Sequence, residues 1–152
     1  MRPAGVTILS LLFVFFGLFW MIGGIFMIES IEEIKSMYYI VEKQISELNE
    51  SITPEMFETV LKVTSTVMIV SGAISTLIGI GLWKMQNWAR IGAILFSGLI
   101  AISGLISAFV QPFFVLEVLL SLVVIWYLMR RDIMDAFNEN RSIEERVLGE
   151  KL

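Results

Sequence analysis

One carboxylate, Glu117, stands inside an otherwise uncharged apolar run, residues 113–129. Ionising a side chain in hydrocarbon is expensive, so Glu117 needs a counter-ion or a proton and marks an ion or proton path as one expectation. Lys62, at the mouth of another apolar run, is the candidate counter-ion, and Gln111 or Ser121 could hydrogen-bond the carboxyl. Ser71 and Ser75, with Thr64 and Ser65, form a polar row along that second run and could line such a path. At 1.5 Å rise per residue, Glu117 lies only about 6 Å below the end of its run, which suits an interfacial carboxylate or a structural pair equally well. No second acid occurs in any apolar run, so paired-carboxylate acid–base chemistry has no support.

What the chain lacks narrows the chemistry further. It has no cysteine and no histidine, which removes disulfides, thiolate nucleophiles and the commonest metal ligand. Its glycines fall at helix-packing intervals rather than in a strand–loop–helix phosphate cradle. Catalytic, metal and cofactor residues are therefore not expected, and the chain reads as a non-enzyme.

The elements that would hold Glu117 follow from composition. Of 152 residues, 57% are apolar and 17% charged, against roughly 45–50% and 25% for a soluble domain. The apolar residues concentrate in four runs, 3–28, 63–83, 91–110 and 113–129, the last being the shortest. About 20 residues of helix cross the hydrocarbon layer, so each run is expected to span. The first lacks the short core and small-residue cleavage site of a secretory signal and reads as an uncleaved anchor. Gln111-Pro112 makes a tight hairpin between the third and fourth.

Basic residues orient the spans. Arg2, Lys84, Arg90, Arg130, Arg131, Arg141, Arg146 and Lys151 fall on one side, and Lys35, Lys43 and Lys62 on the other. Both termini are thus expected in the cytoplasm of a cell whose plasma membrane holds the chain. Trp83, Trp88 and Trp126 sit near span ends on that same side, where indole prefers to lie. The fold class expected is all-α, a polytopic four-helix membrane bundle running up-down-up-down as a single domain. An extracytoplasmic amphipathic helix lies between spans one and two, and the tail, 130–152, is cytoplasmic.

That outer segment, 30–62, is acidic. Ser30-Ile31-Glu32-Glu33 fits a capping box that would start a new helix, although continuation of the first span through this point is the alternative. Ile31, Ile34, Tyr38, Val41, Ile45, Leu48 and Ile52 then recur at alternating spacings of three and four, which places them on one seam. The seam covers its own bundle, lies at the lipid surface, or meets another chain. Thr53-Pro54-Glu55 reads as cap, N1 proline and dipole-favoured acid, so the second long helix starts outside the membrane. Asn49-Glu50-Ser51 is a glycosylation triplet.

Two further patterns concern packing. A shift of 87 positions pairs Gly5 with Gly92, Ser10 with Ser97, Gly17 with Gly104 and Leu18 with Leu105, as in a repeat of two parallel hairpins. Small residues line three runs: Ser10, Gly17 and Gly24; Ser71, Ser75 and Gly79 beside Gly72 and Thr76; and Ser97, Ala101, Gly104 and Ala108. Such stripes let membrane helices approach closely. The loop 84–90 presents two cations to anionic headgroups. Past Met129 the helix is expected to continue through Phe137, and a second capping box, Ser142-Ile143-Glu144-Glu145, starts a short tail helix. The tail charges balance, so nucleic-acid binding has no footing.

Arg2-Pro3-x-Gly5 at the head of the first run, with Gly81-Leu82-Trp83 and Trp88-Ala89-Arg90 around the loop before the third, resembles small four-span proteins of bacteria and archaea that form domains of unknown function. The resemblance covers the transmembrane frame, not the outer helix, and implies no activity. The function expected is a membrane subunit or scaffold embedded in the bilayer, a homo-oligomer or the partner of another membrane protein. It would associate through the outer seam and the small-residue faces. The alternative is an oligomeric ion channel or small transporter built on Glu117 and the polar row.

Overall fold

The structure, a computed structural model, describes residues 3–36, 54–109 and 111–139. Among these residues there is no strand. The helices are α1 (Ala4–Glu29), α2 (Pro54–Trp83), α3 (Asn87–Ala108) and α4 (Phe114–Leu128). α1, α3 and the Glu55–Trp83 part of α2 are long and apolar enough to cross a membrane, and α4 is a shorter apolar helix. Their outward positions carry side chains such as Phe19, Leu95, Leu99, Ile106 and Trp126, all exposed. In water that surface would be untenable, whereas lipid removes its cost.

Helix ends follow hydrogen bonds more than apolarity. α2 begins at Pro54, as the N1 proline predicts, nine residues ahead of the apolar run it contains. α1 ends at Glu29, Ser30 is a turn residue, and helix begins again at Ile31, where the capping box places a start, but the reciprocal cap is not made. The Ser30 amide donates to the Phe26 carbonyl at 2.9 Å, and Ile34 donates to the Ser30 carbonyl at 2.9 Å. The amide that Glu33 would have capped is already bonded, so residues 31–36 continue as helix after a single turn residue.

The chain forms two compact units, Met1–Phe15 with Ser75–Leu152, and Phe16–Ile74. In the first, all four helices contribute to one core. Val6 of α1, Ile78 and Leu82 of α2, Ala89 and Ala93 of α3, and Leu128 of α4 gather with Met85, Ile133 and Phe137. Backbones approach closely where side chains are small. A Cβ on Gly79 would stand 2.8 Å from the Val14 amide nitrogen and 2.9 Å from the Ser10 carbonyl, and one on Gly104 would stand 2.9 Å from the Val118 side chain and 3.7 Å from the Phe114 carbonyl. α3 and α4 pack side by side across a turn in which Phe114 donates to Gln111 and Val115 to Pro112.

α2 ends in a Schellman motif that uses methionine where glycine is usual. Gln86 donates to the Gly81 carbonyl and Met85 to the Leu82 carbonyl, while Met85 takes the left-handed conformation at φ 56°. A non-glycine residue there costs about 1–2 kcal/mol. Burial of the Met85 side chain in the core offsets it. Truncating a buried methionine costs about 2–5 kcal/mol, so the packing term exceeds the backbone term. Met85→Gly is accordingly expected to destabilise by about 1–3 kcal/mol despite the freed backbone. A raised melting temperature would show that strain dominates.

α4 does not run on through Phe137. It stops at Leu128, the chain bends at Arg130, and helix resumes over residues 131–139. The bend accompanies the burial of Ile133 and Phe137, one turn apart, in the core. The second unit holds the other half of the α1–α2 pair. There a Cβ on Gly72 would meet the Gly17 carbonyl at 2.5 Å and the Met21 nitrogen at 2.8 Å, and one on Gly24 would meet the Ser65 carbonyl at 2.8 Å.

The 87-residue shift reappears in burial. Val6 and Ala93, Ser10 and Ser97, and Gly17 and Gly104 are all buried, while Leu12 and Leu99, and Leu18 and Leu105, are exposed. α1 and α3 thus bury equivalent faces.

Candidate functional site

Glu117 lies in the first turn of α4, where the helix dipole favours a negative charge. Its side chain is exposed, between exposed Phe113 and exposed Leu120 on successive turns. Ser121 does bond to residue 117, but its hydroxyl donates to the backbone carbonyl at 2.9 Å, not to the carboxylate. Among the described residues the Glu117 carboxylate makes no ion pair.

Lys62 is engaged with another acid. Its ammonium lies 2.7 Å from Glu58, one turn earlier on α2, in the favourable order of acid before base. Lys35, on the helical residues that follow α1, reaches the other Glu58 oxygen at 2.7 Å and lies 3.8 Å from Glu32. Two lysines therefore share one carboxylate. The hydrogen bond from Lys35, then that from Lys62, hold the Glu58 pKa down, from the usual 4.5 to about 2. Because the folded pKa lies below the unfolded one, the contribution to stability is full above about pH 4.5 and disappears as pH falls toward 2. Carboxyl-detected NMR of Glu58 should give a midpoint near 2, with faster amide exchange over residues 31–36 in Glu58→Gln. A midpoint near 4.5 would mean that the lysines do not hold the carboxylate in solution.

The polar row of α2 turns inward to helix backbone. Ser75 donates to the Phe13 carbonyl of α1 at 3.0 Å, Ser71 to the Met68 carbonyl at 3.1 Å and Ser65 to the Leu61 carbonyl at 2.7 Å. Ser65 and Ser75 are buried, Ser71 is half-buried and Thr64 exposed. The hydroxyl protons of Ser65, Ser71 and Ser75 are thus committed within the fold. Ser10 on α1 behaves likewise, donating to Thr7.

Of the outer seam, Ile31 is buried and Ile34 half-buried, in the same unit as buried Leu61. Tyr38, Val41, Ile45, Leu48 and Ile52 lie outside the described residues, as do the Asn49 triplet and the second capping box. The structure thus places Glu117 by itself and Lys62 in the Glu58 cluster, and gives Ser75 to the α1–α2 contact.

A constellation that the sequence does not reveal lies at the end of the fold where α3 begins. The Arg90 guanidinium sits over the Phe137 ring, with Cζ 5.9 Å from the centroid. Its Nε and Nη1, and Oδ1 of Asn87 one turn earlier, are closed off from solvent without a hydrogen-bond partner among the described residues. Each buried unsatisfied group costs about 1–3 kcal/mol, more if charged, and a cation–π contact returns only about 0.5–2 kcal/mol. Nearby, Gln86 precedes α3 without capping it, and its side-chain oxygen accepts instead from the Trp88 indole. Local spacing could have flagged only the Asn87–Arg90 pair. Phe137 reaches it through the bend after α4.

Apolar helices of spanning length, with lipid-compatible outer faces and polar groups turned to their own backbones, define a helical integral membrane protein. The chain belongs to the family described as Domain of unknown function (DUF7144), whose model matches residues 5–132. That stretch includes the outer segment as well as the transmembrane frame. No curated protein and no solved structure matches the chain.

Proposed function

We propose that this chain is a non-enzymatic integral membrane subunit or scaffold. It is an up-down-up-down four-helix bundle with both termini in the cytoplasm, and it associates with a second copy or another membrane protein. The observation that carries this reading is the bond from Ser75 to the Phe13 carbonyl, flanked by the close approach of Gly79 to Ser10 and Val14. Of the residues that would line a polar path, Ser75 fastens α2 to α1, and Ser65 and Ser71 bond to carbonyls of α2 itself. The small-residue faces of α1 and α2 are then internal, and Ile31 is already covered. Association falls to the remaining outer seam, Tyr38 to Ile52.

Native mass spectrometry of the complex from its own membrane, with subunit identification, tests this. A stable assembly that Tyr38→Glu and Ile45→Glu together dissociate is the expected result. A strictly monomeric chain would overturn the reading. Ion flux in liposomes that Glu117→Gln abolishes would replace it with a channel.

A further inference from the structure

We infer that Arg90 is the centre of a phosphate-binding site for the headgroup of an anionic phospholipid, covered by the helical residues 131–139. The inference is independent of the subunit reading. Three observations converge on it. The guanidinium has two N–H-bearing nitrogens, Nε and Nη1, shielded from solvent with no acceptor among the described residues. Its one described contact is the face of Phe137, a weaker counterpart than an oxyanion. The site lies at a span end, with exposed Trp88 two residues before Arg90 and exposed Lys84 in the same loop, the setting in which headgroups meet protein.

The chemistry selects the ligand. A phosphodiester supplies strong acceptors to a planar guanidinium and one negative charge to neutralise it. The Asn87 side chain, one turn away on the same face, adds an amide that can turn its nitrogen toward a phosphate oxygen. The Phe137 ring and an oxyanion meet the guanidinium differently, the ring against Cζ and the oxyanion along the in-plane N–H bonds, so the two contacts are compatible. Phe137 is fully buried, and Ile133 and Ala136 of the same helix pack in or against that core.

The test is native mass spectrometry of the full chain in mild detergent, titrated with phosphatidylglycerol. The expected result is one tightly retained lipid per chain, with retention reduced about tenfold or more by Arg90→Gln. Lys84→Gln, which removes an exposed cation from the same loop, should leave retention nearly unchanged. Arg90→Lys, which keeps the charge but lacks the planar fork, should also reduce retention. Equal losses in the Arg90 and Lys84 variants would overturn the proposal in favour of diffuse attraction. Inorganic phosphate binding at Arg90 where phosphatidylglycerol does not would overturn the lipid assignment. Should Arg90→Gln fail to fold, retention by Arg90→Lys equal to that of the parent chain overturns it alone.

Discussion

Gly72→Leu is expected to separate α1 from α2 and abolish the folded protein in mild detergent, and even Gly72→Ala should cost about 1–3 kcal/mol. The reason lies in what the new Cβ meets. A flexible side-chain tip could move aside, but the obstacles are the Gly17 carbonyl at 2.5 Å and the Met21 nitrogen at 2.8 Å, both backbone. Relief requires the helices to part, which also loosens neighbouring contacts such as that of Gly24 with the Ser65 carbonyl. Alanine gains about 0.5–1 kcal/mol of helix propensity over glycine, too little to reverse the sign. Gly98 provides the control, since nothing stands within 4 Å of its Cβ position. Gly98→Ala should be neutral or stabilising by up to about 1 kcal/mol. Thermal unfolding of the three variants reads the contrast, and equal melting temperatures for Gly72→Ala and Gly98→Ala would refute close backbone packing.

Phe137→Ala should cost about 3–5 kcal/mol, a large share of the roughly 5–15 kcal/mol that holds a typical domain together. Phe137 is the largest fully buried side chain described, and it shares a core with Leu82, Met85, Ala89 and Leu128. Its loss leaves residues 131–139 anchored by Ile133, with Ala136 packed against the core. Limited proteolysis should therefore cut between Arg130 and Glu139 before any span is attacked. Protection equal to that of the parent chain would show that the helix is held by something other than this ring.

Much of the frame was legible because lipid imposes simple rules. Four apolar runs became four helices, Pro54 marked a helix start, and the small residues at Gly24, Gly72, Gly79 and Gly104 fall where helices touch. The 87-residue shift, weak as a pattern of identities, corresponds to equal burial on α1 and α3. Sequence reasoning found the helix start after Ser30 but not the bond that holds the Ser30 amide. Ser30-Ile31-Glu32-Glu33 has the letters of a capping box, but α1 already occupies its amide. It also carried α4 past Leu128, because nothing local to Met129 and Arg130 announces a bend made for Ile133 and Phe137. Lys62 was matched to the conspicuous Glu117, although Glu58, four residues back on the same helix, carried the ordinary helical-pair signal. The third partner, Lys35, is remote in the chain and visible only in three dimensions.

The brevity of α4 bears on where the protein resides. Its 15 residues extend about 22 Å, well short of the roughly 30 Å of an average hydrocarbon layer. The turn that joins it to α3 carries Phe109, Gln111, Pro112 and Phe113, none of them charged, so that turn can sink below the headgroups. In the four-span bundle proposed above, either it would do so or the bilayer would compress around it, at a fraction of a kcal/mol for each ångström of mismatch. A thin bilayer lowers that cost and a thick, sterol-rich one raises it. As the fourth span of the bundle proposed above, α4 would bias the chain toward the thinner of two membranes, through helix length rather than any recognition motif.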